Sequence, residues 1–161
     1  MVFTGTFEHT IDAKNRLAIP SEIRALLEPV HACADGTSEP ASSVFLYVTL
    51  SEGQALSLYP EAAFAQRARE LDNSELDPAE ILEYERLMYS LARRVEMDKQ
   101  GRVRLPEDLL KMTKLGTDVV LLGVKDHLEI RDRQTWLEHV QQVLAKQPGL
   151  LVNPRQLMRK K

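Results

Sequence analysis

Two stretches of nine residues constrain this chain more than anything else in it. The first is Asp12-Ala13-Lys14-Asn15-Arg16-Leu17-Ala18-Ile19-Pro20, and the second is Asp98-Lys99-Gln100-Gly101-Arg102-Val103-Arg104-Leu105-Pro106. Asp, Arg and Pro stand 86 residues apart in the two copies. The residue before the Arg is Asn15 in one copy and Gly101 in the other. These are the residue types that enter the left-handed backbone region most cheaply. Each copy therefore reads as a tight turn between two strands, and the chain as a duplication.

The flanks support this. Residues 3–11 alternate, with Phe3, Gly5, Phe7, His9 and Ile11 on one side and Thr4, Thr6, Glu8 and Thr10 on the other, which predicts a strand. Arg16–Ile19 resumes a strand, Pro20 ends it, and Ser21 is placed to cap a short helix over 22–27. In the second copy Arg93–Met97 is a strand, Arg102–Leu105 the next, and Pro106 with Glu107 and Asp108 opens a short helix. Each copy then continues into a hairpin and a helix. In the first, strands 44–50 and 55–59 flank Glu52-Gly53-Gln54, and Pro60 opens a helix of about ten residues. In the second, strands 119–124 and 127–130 flank Lys125-Asp126, and a helix runs from about Gln134 to Ala145. Leu56, Leu58 and Phe64 match Leu128, Ile130 and Trp136 at an offset of 72. The first copy thus holds 14 extra residues, which the Pro/Gly/Ser/Ala-rich loop 28–43 supplies as an insertion. Asp77-Pro78 opens a further helix over 78–91, with Ile81, Leu82, Tyr84, Leu87, Met88 and Leu91 on one apolar face expected to pack on its own domain.

The expected organisation is a first repeat over 1–92, a second over 93–146 and a basic tail over 147–161. Units of roughly 80 residues usually interlock or oligomerise to bury enough surface. No apolar run approaches the roughly 20 residues needed to span a bilayer, and the N-terminus shows no secretory signal pattern. The single cysteine, Cys33, permits no internal disulfide, and a cytoplasmic location is expected.

The net charge is −3, which argues mildly against indiscriminate nucleic-acid binding, but its distribution is uneven. Residues 72–92 carry six acids and one Arg, whereas 93–116 carry seven bases and four acids. Local fields of this kind can steer a polyanion. Two roles stand for the Arg of each motif. It either pairs with its Asp across the turn and staples the hairpin, or it faces a nucleic acid.

The pattern Glu8-His9-Thr10-Ile11-Asp12-Ala13-Lys14-x-Arg16-Leu17-x-Ile19-Pro20, the segment Leu58-Tyr59-Pro60 and the second Asp-x-x-Gly-Arg-x-x-Leu-Pro closely resemble the MraZ family. These are bacterial transcriptional regulators associated with the division and cell wall gene cluster. The resemblance covers essentially the whole chain apart from 28–43. It implies an α+β fold related to AbrB and SpoVT: a duplicated swapped-hairpin β-barrel with peripheral helices, both halves supplied by one chain. It also implies ring-like homo-oligomers that bind direct repeats in double-stranded promoter DNA, in the cytoplasm and at the nucleoid, with no cofactor, small-molecule substrate or membrane. Two positions depart from the family pattern. Asn15 replaces the usual Gly, and Gln100 replaces the usual Lys, leaving Lys99 beside it as a substitute phosphate contact.

Physically, the motif suits this use. Lys14 and Arg16 lie two residues apart and share a face in extended chain. A two-stranded ribbon fits the major groove, where Arg can bind G O6 and N7 bidentately, while Lys suits phosphate as a point charge. The expected DNA-binding residues are therefore Arg16 on a base edge and Lys14 on the backbone, with Arg102 and Lys99 as their second-repeat counterparts. The alternative is an oligomeric protein-interaction module that binds no DNA and uses the acidic helix 78–91, with the basic hairpins serving oligomerisation. Nucleophile-elbow, Walker and dinucleotide motifs are missing, and seven glycines make a phosphate-cradling loop improbable, so no enzyme is expected. His31-x-Cys33 alone is too few ligands for a metal site.

Overall fold

The computed structural model describes residues 1–27, 43–72 and 75–151. The inserted loop and the basic tail therefore lie largely outside the described residues, as does the His31-x-Cys33 pair. The elements run β1 (Thr6–Thr10), β2 (Arg16–Ala18), α1 (Ser21–Leu27), β3 (Phe45–Ser51), β4 (Ala55–Pro60), α2 (Glu61–Asp72) and α3 (Pro78–Leu91). They continue as β5 (Arg93–Glu96), β6 (Arg102–Arg104), α4 (Glu107–Lys111), β7 (Asp118–Val124), β8 (His127–Asp132) and α5 (Arg133–Lys146). The fold is mixed α+β, as expected. Small boundary differences occur: α1 begins at Ser21 itself, and Pro60 closes β4 in register with Leu46 immediately before α2.

The strands form a six-stranded antiparallel sheet in the order β1-β7-β8-β4-β3-β5, and a separate two-stranded ribbon of β2 with β6. Hydrogen-bonded strands do not close into a barrel among the described residues. The physical reason is length. β2 and β6 have three residues each, enough to pair with one another, and only the single bridge Met97–Val103 joins the ribbon to the end of β5.

Every strand of one half pairs with a strand of the other. β1 pairs with β7, and β5 with β3, so each half gives its first strand to its counterpart's hairpin. The remaining contacts between halves, β4 with β8 and β2 with β6, join equivalent strands. Register also refines the duplication. Tyr47 opposite Arg94 corresponds to Val120 opposite Glu8, an offset of 73, whereas Leu58 and Ile130 differ by 72. One extra residue therefore sits in the hairpin turn at Glu52-Gly53-Gln54, against the two-residue turn Lys125-Asp126. The loop before β3 supplies 13 of the 14 extra residues, not all of them.

Alternation in the strands sorts side chains to two faces of the sheet. On one face Leu46, Val48, Leu56, Leu58, Val119, Leu121, Leu128 and Ile130 meet the underside of the ribbon and its short helices, through Leu17, Ile19, Ile23, Val103, Leu105 and Leu109. This is the main core. The other face is covered by helices: α2 and α3 lie on β3 and β4, and α5 on β7 and β8. There Tyr59, Phe64 and Met88 form a smaller cluster, with Tyr47 stacked on Phe64 at 4.4 Å. Because β4 is covered on both faces, all six of its residues are buried, as in strands that read as continuous apolar runs.

Helix α3 departs from expectation. Asp77 caps it by accepting from Ala79 N at 3.1 Å, and Met88 is buried. Leu82 (47% exposed), Tyr84 and Leu87 (57% exposed), however, point away from the sheet, and Leu91 is only half-buried. A run of apolar residues on a helix fixes a stripe but not its width against the core, and here the contact is narrow.

Candidate nucleic-acid interface

The two turn motifs are built alike. Asp12 Oδ1 accepts from the backbone N–H of Lys14 and of Arg16, each at 2.9 Å, and Asp12 Oδ2 accepts from Arg16 Nε at 2.7 Å. Asp98 does the same for Gln100 N (2.9 Å), Arg102 N (3.0 Å) and Arg102 Nε (3.0 Å). The backbone closes each turn, Asn15 N donating to Asp12 O and Gly101 N to Asp98 O at 3.0 Å. Asn15 has φ +59° and Gly101 φ +76°, the left-handed conformation expected of both. Backbone hydrogen bonds, led by those from Arg16 N and Arg102 N, hold the Asp12 and Asp98 carboxyls below the usual carboxylate range, with the guanidinium contacts adding to the effect.

The staple reading of the Asp–Arg pairs is thus correct in both copies, and it leaves the other reading open. Each pair hydrogen-bonds through Nε. Among the described residues the Nη groups of Arg16 and Arg102 make no hydrogen bond, and the two side chains are 30% and 29% exposed. The Asp fixes the guanidinium's direction while its fork stays available.

The ribbon then joins the two turns. Arg16 stands opposite Arg104, Leu17 opposite Val103, and Ala18 opposite Arg102. Leu17 and Val103 are fully buried, so the alternate positions Arg16, Ala18, Arg102 and Arg104 line the outer face. Leu105 N donates to Asn15 O at 2.7 Å and Ile19 N to Gly101 O at 2.8 Å, tying the left-handed residue of each turn to the other copy. Lys14 and Lys99 are exposed at the two turns. Of the four expected residues, Arg16 and Arg102 thus share the ribbon, and Lys14 and Lys99 sit in the turns at its two ends.

Two further cations join them. Arg104 Nε donates to Lys14 O at 3.1 Å, and Arg104 lines an open groove with Lys14, Asn15, Glu96 and Glu107. Its alternation with Arg102 in Arg102-Val103-Arg104 signals a shared face, but the cross-strand position opposite Arg16 could not be read from sequence. Arg24 of α1 packs over the second turn, so close that a Cβ on Gly101 would lie 2.5 Å from its Cδ. No sequence signal pointed to it. Arg93 and Arg94 are committed elsewhere: Arg93 to Asp108 at 2.9 Å and to the carbonyls of Ser90 and Ala92, Arg94 to Glu61 at 2.6 Å and stacked on Phe45.

Among the described residues no group of His, Cys, Asp and Glu could hold a metal ion, and no helix is long and apolar enough to cross a membrane.

Comparison with known proteins gives the same direction throughout. A family model described as "MraZ protein, putative antitoxin-like" matches residues 88–148. The chain is 32% identical over 152 residues to the transcriptional regulator MraZ of Lactiplantibacillus plantarum, covering 94% of this chain and 97% of that one. It is 30% identical over 135 residues to the protein of that name from Roseiflexus castenholzii, and 28% over 135 residues to the one from Ureaplasma urealyticum, with 84% of each chain covered in both cases. With one turn motif inside the family match and the other inside an alignment that spans nearly the whole length, the chain belongs to the MraZ family.

Proposed function

We propose that the chain is a sequence-specific DNA-binding transcriptional regulator and not an enzyme, as the names of its relatives suggest. Its targets are promoter direct repeats of the bacterial division and cell wall gene cluster, bound in the cytoplasm at the nucleoid. The observation that carries this reading is the β2–β6 ribbon, which holds Arg16 and Arg102 on one outer face, with the exposed Lys14 and Lys99 in the turns that lead into its two strands. A ribbon of this kind suits the major groove. Arg16 and Arg102 read base edges with their free Nη groups, and Lys14 and Lys99 contact phosphates.

The exchange of β1 and β5 between halves supports a swapped-hairpin arrangement related to AbrB. On this reading 1–92 and 93–146 are interdependent repeats, and 147–161 is a basic tail. One ribbon makes few phosphate contacts. A ring of chains presents many, and affinity then rises steeply when operator repeats match subunit spacing.

The test is a titration of the full-length protein against the DNA upstream of its own gene, with repeat copies removed one at a time. Affinity is expected to fall faster than site counting predicts, and Arg16→Ala at unchanged oligomer size to weaken it by about tenfold. A simple proportional fall would remove the ring from the account. Unchanged binding by Arg16→Ala would remove Arg16 from the interface.

A further inference from the structure

The ribbon is two-fold symmetric in its backbone but not in its side chains. Exchanging the two copies sends Leu17 onto Val103, Arg16 onto Arg102 and Asn15 onto Gly101, and the bonds from Leu105 N and Ile19 N obey that exchange. The same exchange sends Arg104 onto Ala18 and Lys14 onto Gln100. The outer face therefore carries two adjacent guanidiniums at one end, Arg16 with Arg104, and a guanidinium beside a methyl group at the other, Arg102 with Ala18.

We infer that Arg104 is the specificity-determining residue that sets the direction in which each chain lies along its DNA site. This rests on the DNA-binding reading above. A duplex backbone is close to two-fold symmetric, so a symmetric ribbon would fit it equally well either way round. Direction has to come from side chains. Arg16 and Arg102 cannot supply it, because each is held by its own Asp in the same way.

Arg104 breaks the tie. Like charges directly opposite on neighbouring strands are destabilising, so the Arg16–Arg104 pair works against folding. Electron-rich groups placed between the two forks relieve that repulsion, and guanine O6 and N7 in the major groove are such groups. Among the described residues Arg104 makes no ion pair with Glu96 or Glu107, although both share its groove, and its one hydrogen bond uses Nε on Lys14 O. Its Nη groups remain for the ligand. At the other end the Ala18 methyl suits a thymine methyl. Arg24 adds charge near Gly101, but it lies against the turn backbone with Nε buried and unpartnered, not on the outer face. The site is thus read as guanine-rich under Arg104 and different in kind under Ala18.

Selection of bound duplexes from a random pool, with the full-length protein, tests this. The parent protein is expected to recover an asymmetric motif. Arg104→Ala leaves an Arg–Ala pair at both ends and is expected to lose the guanine preference under position 104, on the order of 5- to 150-fold in discrimination, so that the two ends of the motif become alike. Arg104→Lys keeps the charge and is expected to retain overall affinity but not the preference. Ala18→Arg places two guanidiniums at each end of the outer face, although Lys14 and Gln100 still differ, and is expected to give a more palindromic motif, which keeps the idea testable if Arg104→Ala folds poorly. An unchanged motif from Arg104→Ala and from Ala18→Arg overturns the role of Arg104 alone. Recovery of no motif by the parent protein overturns the DNA-binding reading, and this inference with it.

Discussion

At the scale of single residues, Asn15 and Gly101 occupy equivalent places for one shared reason, to which Gly101 adds a second. Both hold a left-handed backbone. That requirement was legible, because positive φ restricts residue type wherever it occurs. Gly101 carries a second requirement, the Arg24 side chain packed over it. That was not legible, since it joins the first helix of one copy to the turn of the other, and local sequence carries no trace of such a contact. Asn15→Gly is expected to change stability by less than about 1 kcal/mol. Gly101→Ala should cost about 1–2 kcal/mol, of which Arg24→Ala recovers part by removing the collision and leaving the strained φ. Denaturant midpoints of the two single variants and the double variant check this. A Gly101→Ala protein as stable as the parent would show that the turn does not need glycine.

At the scale of elements, the two hairpins and the extent of α3 follow nearly to the residue from turn chemistry, capping and alternation, but the packing of the α3 stripe does not. A hairpin encodes its own register. A helix stripe does not encode how much of itself a sheet will cover, and Leu82 and Leu87 stay exposed. Also unread was a charged network on the helix-covered face of the sheet. His127, buried and stacked on Tyr59 at 4.7 Å, donates to Asp126 at 2.8 Å and faces Glu129 at 3.5 Å. Arg67 ties α2 to Asp126 at 3.1 Å, and Arg131 holds Glu129 at 2.7 Å. Burial opposes the charge on His127, but the hydrogen bonds to Glu129 and Asp126 outweigh it and raise its pKa. Glu129 is pulled down to about 2, first by the hydrogen bond from His127 and then by Arg131.

The signs follow from linkage. A raised histidine contributes stability that is complete below its unfolded value, roughly pH 6.5, and is lost as pH rises through the folded value. A depressed carboxylate contributes stability present above its unfolded value and lost as pH falls towards about 2. His127→Gln is therefore expected to flatten the decline in stability above roughly pH 6.5. Glu129→Gln is expected to cost about 2 kcal/mol at neutral pH and to weaken the loss in acid. Unfolding curves across the pH range measure both. A decline in the His127→Gln protein as steep as in the parent would locate the titrating group elsewhere.

At the scale of the whole molecule, duplication was legible in the motifs themselves, whereas an exchange between the halves was implied only by the family resemblance and its strand partners were not legible. Matching motifs reveal two copies, but partner choice depends on edges that meet only in three dimensions. Because β1 belongs to the sheet of β7 and β5 to that of β3, neither half is complete alone. Fragments 1–92 and 93–161 are each expected to lack a cooperative monomeric unfolding transition, and to regain one as a one-to-one mixture. A folded monomer of either fragment, seen by circular dichroism and sedimentation, would contradict the interlocking.

The pairing of β2 with β6 places the turn of each copy at either end of one ribbon, so the proposed function requires both copies to meet the same DNA. Anisotropy titrations of the full-length protein with the duplex upstream of its own gene, across a salt series, test it most directly. Arg102→Ala, like Arg16→Ala, is expected to weaken binding by at least about fivefold while circular dichroism stays unchanged. A folded Arg102→Ala protein with the parent's affinity and salt dependence would mean that the second copy does not touch DNA.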